Sequence, residues 1–197
     1  MRRNDGAALA ATLTAALWDD PFYAVITAGR PEPERRAALD RYFALALREA
    51  WRAGEVQAGD DGAGVAIWTA PSGSPGAEAA ASDKQRALQV LLRAEEWAAY
   101  QAIGAFSHDM VAAAVPDRAW YLSILGVDPA RQGAGWGARL LRPTLSRLDA
   151  QRLTGYLETF NPRSLAFYGR HGFVTGASAV EPVTGAPYWI LCRPPNP

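Results

Sequence analysis

Gln132-Gly133-Ala134-Gly135-Trp136-Gly137 is the stretch on which the reading of this chain turns. With Val127-Asp128-Pro129-Ala130-Arg131 ahead of it, it reads as a strand end, a turn and a glycine-rich helix start. Glycines at this spacing let the main chain approach a ligand with no Cβ atoms in the way. The N–H groups of the first helical turn, reinforced by the helix dipole, then make a site for an anion, with a pyrophosphate as the natural occupant. The dinucleotide fingerprint needs a further glycine three residues past its second, where this chain has Ala138, and the Gly-Lys-Ser/Thr ending of a P-loop is absent. Taken alone, the loop is also open to a plainer reading, a turn that lets strand and helix pack tightly.

Outward from the loop, an α/β order emerges. Trp120 to Val127 is predicted as a strand, and a helix follows the loop to about Ala150. Leu153 to Phe160 is predicted as a strand, Pro162 to His171 as a short helix, and Phe173 to Val180 and Tyr188 to Arg193 as a strand pair. Helices packed against a sheet are the expected outcome. Nearer the start, Asp5 to Trp18 reads as a helix ended by Asp19-Asp20-Pro21. Glu32 to Ala53 reads as a second helix, with Pro31 and Pro33 at its start and Gly54 at its stop. A hairpin is expected from Glu55 to Thr69 around Gly59-Asp60-Asp61-Gly62. Ala70 to Ala81 reads as a mobile loop, and a third helical region runs from about Asp83 to Ala105, open to division in two.

The bulk numbers bound the function. A chain of 197 residues suits a single domain, residues 1–197, with one good core. Zero formal net charge gives no reason to expect a nucleic-acid or anionic-membrane partner. Cys192 is the only cysteine, and with only His108 and His171 beside it no soft metal site is expected. No apolar run reaches the roughly 18–20 residues of a membrane span. Arg2-Arg3 ahead of Ala7 to Trp18 faintly imitates a secretion signal. Asp5 and two threonines interrupt it, so an amphipathic helix and a cytoplasmic protein are the expectation.

A second element lies downstream: Leu157-Glu158-Thr159-Phe160-Asn161-Pro162-Arg163, then Ser164-Leu165-Ala166-Phe167-Tyr168-Gly169-Arg170-His171-Gly172-Phe173. The two segments together strongly resemble the acetyl-CoA motifs of the GNAT superfamily: Gln-x-x-Gly-x-Gly, a strand, an Asn, and Phe-Tyr-x-x-x-Gly-Phe. Asp60 to Pro71, Leu157-Glu158-Thr159, Pro162-Arg163 and Tyr188-Trp189 look like its puromycin N-acetyltransferase branch. That resemblance implies a GNAT fold: a mixed β-sheet, splayed where acetyl-CoA enters and flanked by helices. It also implies an expanded helical region between hairpin and central strand. Residues 1–118 would then carry the acceptor side and 119–197 the acetyl-CoA-binding core. Three departures stand out. Family members normally place a strand before the first helix, whereas this chain starts almost directly at the helix; Trp136 replaces an aliphatic residue; and Ala134 replaces a frequent cation.

The resemblance implies roles residue by residue. Amine acetylation needs a neutral amine, a stabilised oxyanion and a protonated leaving thiolate. Glu158 ends an otherwise apolar strand and is the candidate base, acting directly or through water, with a solvent-facing strand residue as the competing reading. Tyr168 stands where the family places the group that protonates the departing thiolate. Leu125, Gly126 and Val127 would pair with the pantetheine amides like an added strand. Gln132, Gly133, Ala134, Gly135, Trp136 and Gly137 would hold the pyrophosphate through backbone donors. Asn161 and Arg163 complete the coenzyme contacts, Asn161 doubling as an N-cap before Pro162. His171 reads as a cation at a helix end, His108-Asp109 as loop residues after the third helix, and Cys192 as an inert strand thiol.

The function expected is acetyl-CoA-dependent N-acetylation of a primary amine of a small molecule, by direct transfer through a tetrahedral intermediate. No metal, nucleic acid or membrane is involved in that reading, and the chain would be a monomer or homodimer. The competing class is a silent acyl-CoA-binding sensor or scaffold. A protein acetylase is disfavoured, because no peptide-docking signature can be read. The acceptor wall is expected from the first two helices, the Ala70 to Ala81 loop and the third helical region, with Trp18, Phe22, Tyr23, Trp97 and Tyr100 as apolar candidates suited to a bulky amine.

Overall fold

Alternation along β2 (Gly64–Thr69) and β3 (Trp120–Val127) builds a sheet with two buried faces. A computed structural model of the chain describes residues 5–196. The Arg2-Arg3 signal-like start lies outside the described residues. In chain order come α1 (Asp5–Ala16), α2 (Pro21–Val25), α3 (Glu32–Ala53), β1 (Gly54–Ala58), β2, α4 (Ala77–Leu91), α5 (Ala94–Ala114), β3, α6 (Trp136–Ala150), β4 (Gly155–Thr159), α7 (Leu165–Gly169), β5 (Val174–Val180) and β6 (Pro187–Arg193). The six strands lie in the order β1-β2-β3-β4-β6-β5, and only β3 and β4 run parallel.

Leu13, Tyr23, Phe43, Val65, Ile67 and Ile124 bury one face of the sheet under α1, α2 and α3. Ala66, Trp68, Leu122, Leu141, Leu148 and Leu157 bury the other against α6. Leu122 and Ile124 are two apart yet belong to opposite faces. The reason is a β-bulge: Ile124 faces Ile67 and Leu122 faces Trp68, which leaves Ser123 as the extra residue. Its hydroxyl donates to the Ile67 carbonyl at 3.2 Å. Bulges reverse side-chain alternation and end pairing. Here β3 pairs β4 from Trp120 with Gly155 as far as Leu122 with Leu157, so the two strands part at the bulge. Gly126 then lets α1 lie close on β3, since a Cβ there would sit 2.7 Å from Leu13 Cδ2.

Four sequence expectations are corrected. Asp19-Asp20-Pro21, read only as a helix stop, also starts α2: Asp20 Oδ1 accepts the Phe22 N–H at 3.0 Å, and Pro21 takes the first helical position, where it needs no donor. The Ala70 loop ends at Gly76, whose φ of 75° turns the chain into α4. The third helical region forms two helices and runs on to Ala114, so His108 and Asp109 lie inside α5 rather than in a loop. The predicted Pro162 to His171 helix is a 3-10 turn, Pro162–Ser164, followed by α7, which stops at Gly169.

Candidate active site

Where β3 and β4 part, a cavity of about 330 Å³ opens, lined by Leu125 from β3, Glu158 and Thr159 from β4, and Asn161 and Tyr168 beyond it. Four residues singled out from sequence, Leu125, Glu158, Asn161 and Tyr168, thus meet in one space. The past-bulge edge of β3 that faces away from β2, along Ile124 to Val127, pairs with no strand. It offers amide and carbonyl groups to an extended ligand.

The glycine loop stands beyond the cavity, at the far end of that free edge. Gly133 and Gly135 have φ of 79° and 80°, a conformation glycine adopts without steric cost, and no atom lies within 4 Å of the Cβ either would carry. Gly135 is the N-cap of α6 and supplies no side-chain cap, so the first-turn N–H groups remain available to an anion. Gln132 turns back instead: its amide donates to the Val127 carbonyl at 3.2 Å and ties the loop to the strand. Gly137 has a packing role, because a Cβ there would meet Phe167 Cζ at 2.9 Å. Trp136 packs over Gly59 in the hairpin turn, with the Arg139 guanidinium 4.9 Å from its ring centre. Ala134 and Arg163 are exposed, and the Arg163 N–H is held by the Asn161 side chain at 3.0 Å, which is the capping role read from sequence.

Glu158 is half-buried, and its Oε2 accepts the Tyr188 hydroxyl at 2.5 Å. Tyr188 also pairs with the Ser107 hydroxyl of α5 at 3.3 Å, which links β4, β6 and α5 at the carboxylate. Burial, and then the Glu158 charge, push the Tyr188 phenol far above its ordinary range, so it stays a donor. Tyr168 is buried, and burial raises its phenol too, with a smaller contribution from Asp20. A phenol so raised holds its proton firmly. Proton delivery to a thiolate is then favourable only if another proton replaces it in the same event.

The opposite wall comes from the helices, and sequence reading found part of it. Phe22, Tyr23 and Tyr100 line the cavity as expected; Tyr42, Lys84 and Asp20 were not anticipated. Asp20 is pushed up to about 6 because its burial outweighs the N–H groups of Phe22 and Tyr23 that favour the charged form. Its Asp-Pro signature was visible, but as a helix boundary only. Trp18 and Trp97 are not among the lining residues. Trp18 lies under the Arg35 guanidinium, 4.1 Å from its ring centre, and Trp97 stacks behind Tyr100 at 5.3 Å. The Ala70 loop lines a different cavity, of about 690 Å³, shared with Glu78, His108 and Tyr156. His171 is corrected as well: burial and the neighbouring Arg170 and Arg193 lower its pKa, so the expected helix-end cation is disfavoured. Cys192 is half-buried, and burial raises its thiol.

Among the described residues no group of three or more His, Cys, Asp or Glu is placed to hold a metal ion, and no helix is long and apolar enough to cross a membrane. The family model described as Acetyltransferase (GNAT) family matches residues 77–173. A solved structure described as histone acetyltransferase HPA2 and related acetyltransferase, from Corynebacterium glutamicum, superposes with a TM-score of 0.66 at 21% identity, covering 100% of this chain and 94% of that one. An arylalkylamine N-acetyltransferase 2 from Aedes aegypti gives 0.68 at 15% identity over 100% and 97% of the two chains. An N-acetyltransferase from Staphylococcus aureus Mu50 gives 0.58 at 18% identity over 97% and 96%. The six-stranded mixed sheet flanked by helices is the fold of these acetyltransferases, and the stretch that matches the GNAT family model, residues 77–173, spans just under half of this chain.

Proposed function

We propose that this protein transfers the acetyl group of acetyl-CoA to a primary amine of a small molecule. The observation that carries the reading is the meeting of Leu125, Glu158, Asn161 and Tyr168 in one cavity, at the point where β3 and β4 separate. Acetyl-CoA supplies an activated thioester; the chain's own residues supply placement and proton traffic. The first-turn N–H groups of α6 take the pyrophosphate, and the free edge of Leu125 to Val127 pairs with the pantetheine amides. This fits the open cradle at Gly133 and Gly135.

Alkyl ammonium groups have pKa values near ~10, so one proton must leave before nitrogen attacks the thioester carbon. Glu158 takes that proton, directly or through water, and passes it to solvent. As the C–N bond forms and the C–S bond breaks, the nitrogen gives up a second proton. Tyr168 donates its hydroxyl proton to sulfur and is restored by that second proton, so the phenol ends as it began. Tyr188 holds the Glu158 carboxylate in place throughout.

The likeness of Asp60 to Pro71 and Tyr188-Trp189 to the puromycin branch supports a small-molecule acceptor; of the neighbours, the Aedes aegypti protein is named for arylalkylamines and the Corynebacterium glutamicum one for histones. A silent acyl-CoA sensor would have no use for a carboxylate and a buried phenol in one cavity. Glu158→Gln is expected to lower kcat by about 10²–10⁴-fold, most severely at acidic pH where the amine is most protonated, with acetyl-CoA affinity nearly unchanged. An unaltered pH–rate profile would remove Glu158 from the base role. Thiol release from acetyl-CoA across an amine panel tests the activity itself.

A further inference from the structure

The helical wall of the cavity contains chemistry that acetyl transfer does not explain. Two carboxylates face it, Asp20 and Glu158, against a single cation, Lys84, which is itself paired with Glu49. Lys84 is the only lysine in the chain. The hydroxyls of Tyr23, Tyr42 and Tyr100 make no hydrogen bond to protein among the described residues, yet all three residues line the cavity. None of these hydroxyls is among the polar atoms sealed off from solvent, so each keeps surface open to the cavity and can pair with a ligand that has polar atoms of its own. Asp20, held by its cap on the Phe22 N–H, lines the same cavity as the Phe22 ring, which packs edge-on to Tyr23 at 5.0 Å and Tyr42 at 6.2 Å. Aromatic side chains and a carboxylate that pairs with no cationic side chain, lining one cavity, suit an organic cation.

We propose that Asp20 anchors the acceptor's ammonium group, and that the acceptor is a compact primary amine with a second hydrogen-bonding group at its far end. The inference rests on the acetyl-transfer reading and deepens it by naming the acceptor class. Size supports compactness: about 330 Å³ must hold the acceptor and the thioester end together. That departs from the bulky amine suggested by the aromatic residues of the sequence. Charge supports the ammonium, since with Lys84 committed to Glu49 the cavity has an excess of negative groups. The unengaged hydroxyls of Tyr23, Tyr42 and Tyr100 support the second polar group. Asp20 releases the ammonium towards Glu158 as it loses its proton; it orients the acceptor and does not itself need to accept that proton.

The test uses hexylamine and its hydroxyl-ended isostere aminopentanol, titrated calorimetrically into the full chain with coenzyme A present, with acetylation of both measured in parallel. Asparagine caps helices as well as aspartate does, so Asp20→Asn removes the charge and keeps α2. Asp20→Ser, another good cap, serves if the first variant fails to fold. The expected result is at least a tenfold weaker affinity for both amines in Asp20→Asn. Tyr42→Phe should weaken aminopentanol several-fold and leave hexylamine alone. Equal amine affinities in wild type and Asp20→Asn would mean that Asp20 only caps α2, and so would overturn the proposal. Failure of the wild type to bind either amine, or indifference of aminopentanol to Tyr42→Phe, would overturn it too. Binding that depends on Asp20 with no acetylation of either amine would remove the acetyl-transfer reading and leave the anchor standing.

Discussion

The two walls of the cavity are built on different principles. The β3, β4 and α7 wall presents main-chain groups along a strand edge freed by the Ser123 bulge, and beyond the cavity that edge leads to the uncapped first turn of α6 behind Gly135. The helical wall presents mostly side chains, gathered from α2, α3, α4 and α5. A ligand common to a whole superfamily can be held by backbone, because main-chain donors are the same whatever the sequence. A ligand particular to one protein must be recognised by side chains, which are free to change. The wall with a short motif is therefore the one that says least about the acceptor.

The sharpest way to break this contrast is at Gly135. Valine in a left-handed conformation costs roughly 1–2 kcal/mol and redirects the N–H groups of the first turn, so Gly135→Val should weaken acetyl-CoA by about a hundredfold or more. Calorimetry on a variant that melts normally checks this, and unchanged affinity would remove the pyrophosphate site. Tyr188→Phe tests the joint between the walls. It deletes the hydroxyl that positions Glu158 and the link to Ser107, and should lower kcat by about tenfold with acetyl-CoA affinity intact.

Asp20 should show the opposite balance, function held at the expense of stability. Its folded pKa of about 6 lies above the ordinary 3.8. The stability it contributes is thus complete below 3.8 and lost as pH rises through about 6. Asp20→Asn should raise the melting temperature at pH 7 relative to wild type, and the gain should vanish near pH 3.5. A gain that does not vary with pH would show that the charge of Asp20 is not what burial penalises. The smallest effect belongs to Ala134→Arg. Restoring a cation beside the α6 terminus should tighten acetyl-CoA by roughly 0.3–1 kcal/mol, and added salt should erase the difference.

Most of the backbone wall was legible in the sequence. Gly133 and Gly135, the Asn161-Pro162 cap, the two long helices α3 and α6 and the β1–β2 hairpin follow from local rules, which act over a few residues and leave a pattern. Glu158 and Tyr168 could be named because they sit within a recognisable motif. The helical wall was legible only in part. Phe22, Tyr23 and Tyr100 line the cavity as the acceptor-wall expectation has it, whereas Trp18 and Trp97, indistinguishable from them in sequence, are not among its lining residues. Asp20 reads from sequence only as part of the Asp19-Asp20-Pro21 helix stop, since a helix boundary is all that its near neighbours encode.

What the sequence determined by itself is the open glycine cradle at Gly133 and Gly135, the order of strands and helices around it, and the carboxylate and phenol that follow. Those depend on φ angles, caps and alternation, each decided by near neighbours. Only the tertiary structure decided that Ser123 bulges and frees the β3 edge, that Tyr188 holds Glu158, and that Asp20, Tyr42 and Lys84 share one cavity with them. These residues come from distant parts of the chain. Their meeting is set by how α1, α2 and α3 pack on one face of the sheet and α6 on the other, a long-range outcome of core burial that no local pattern encodes.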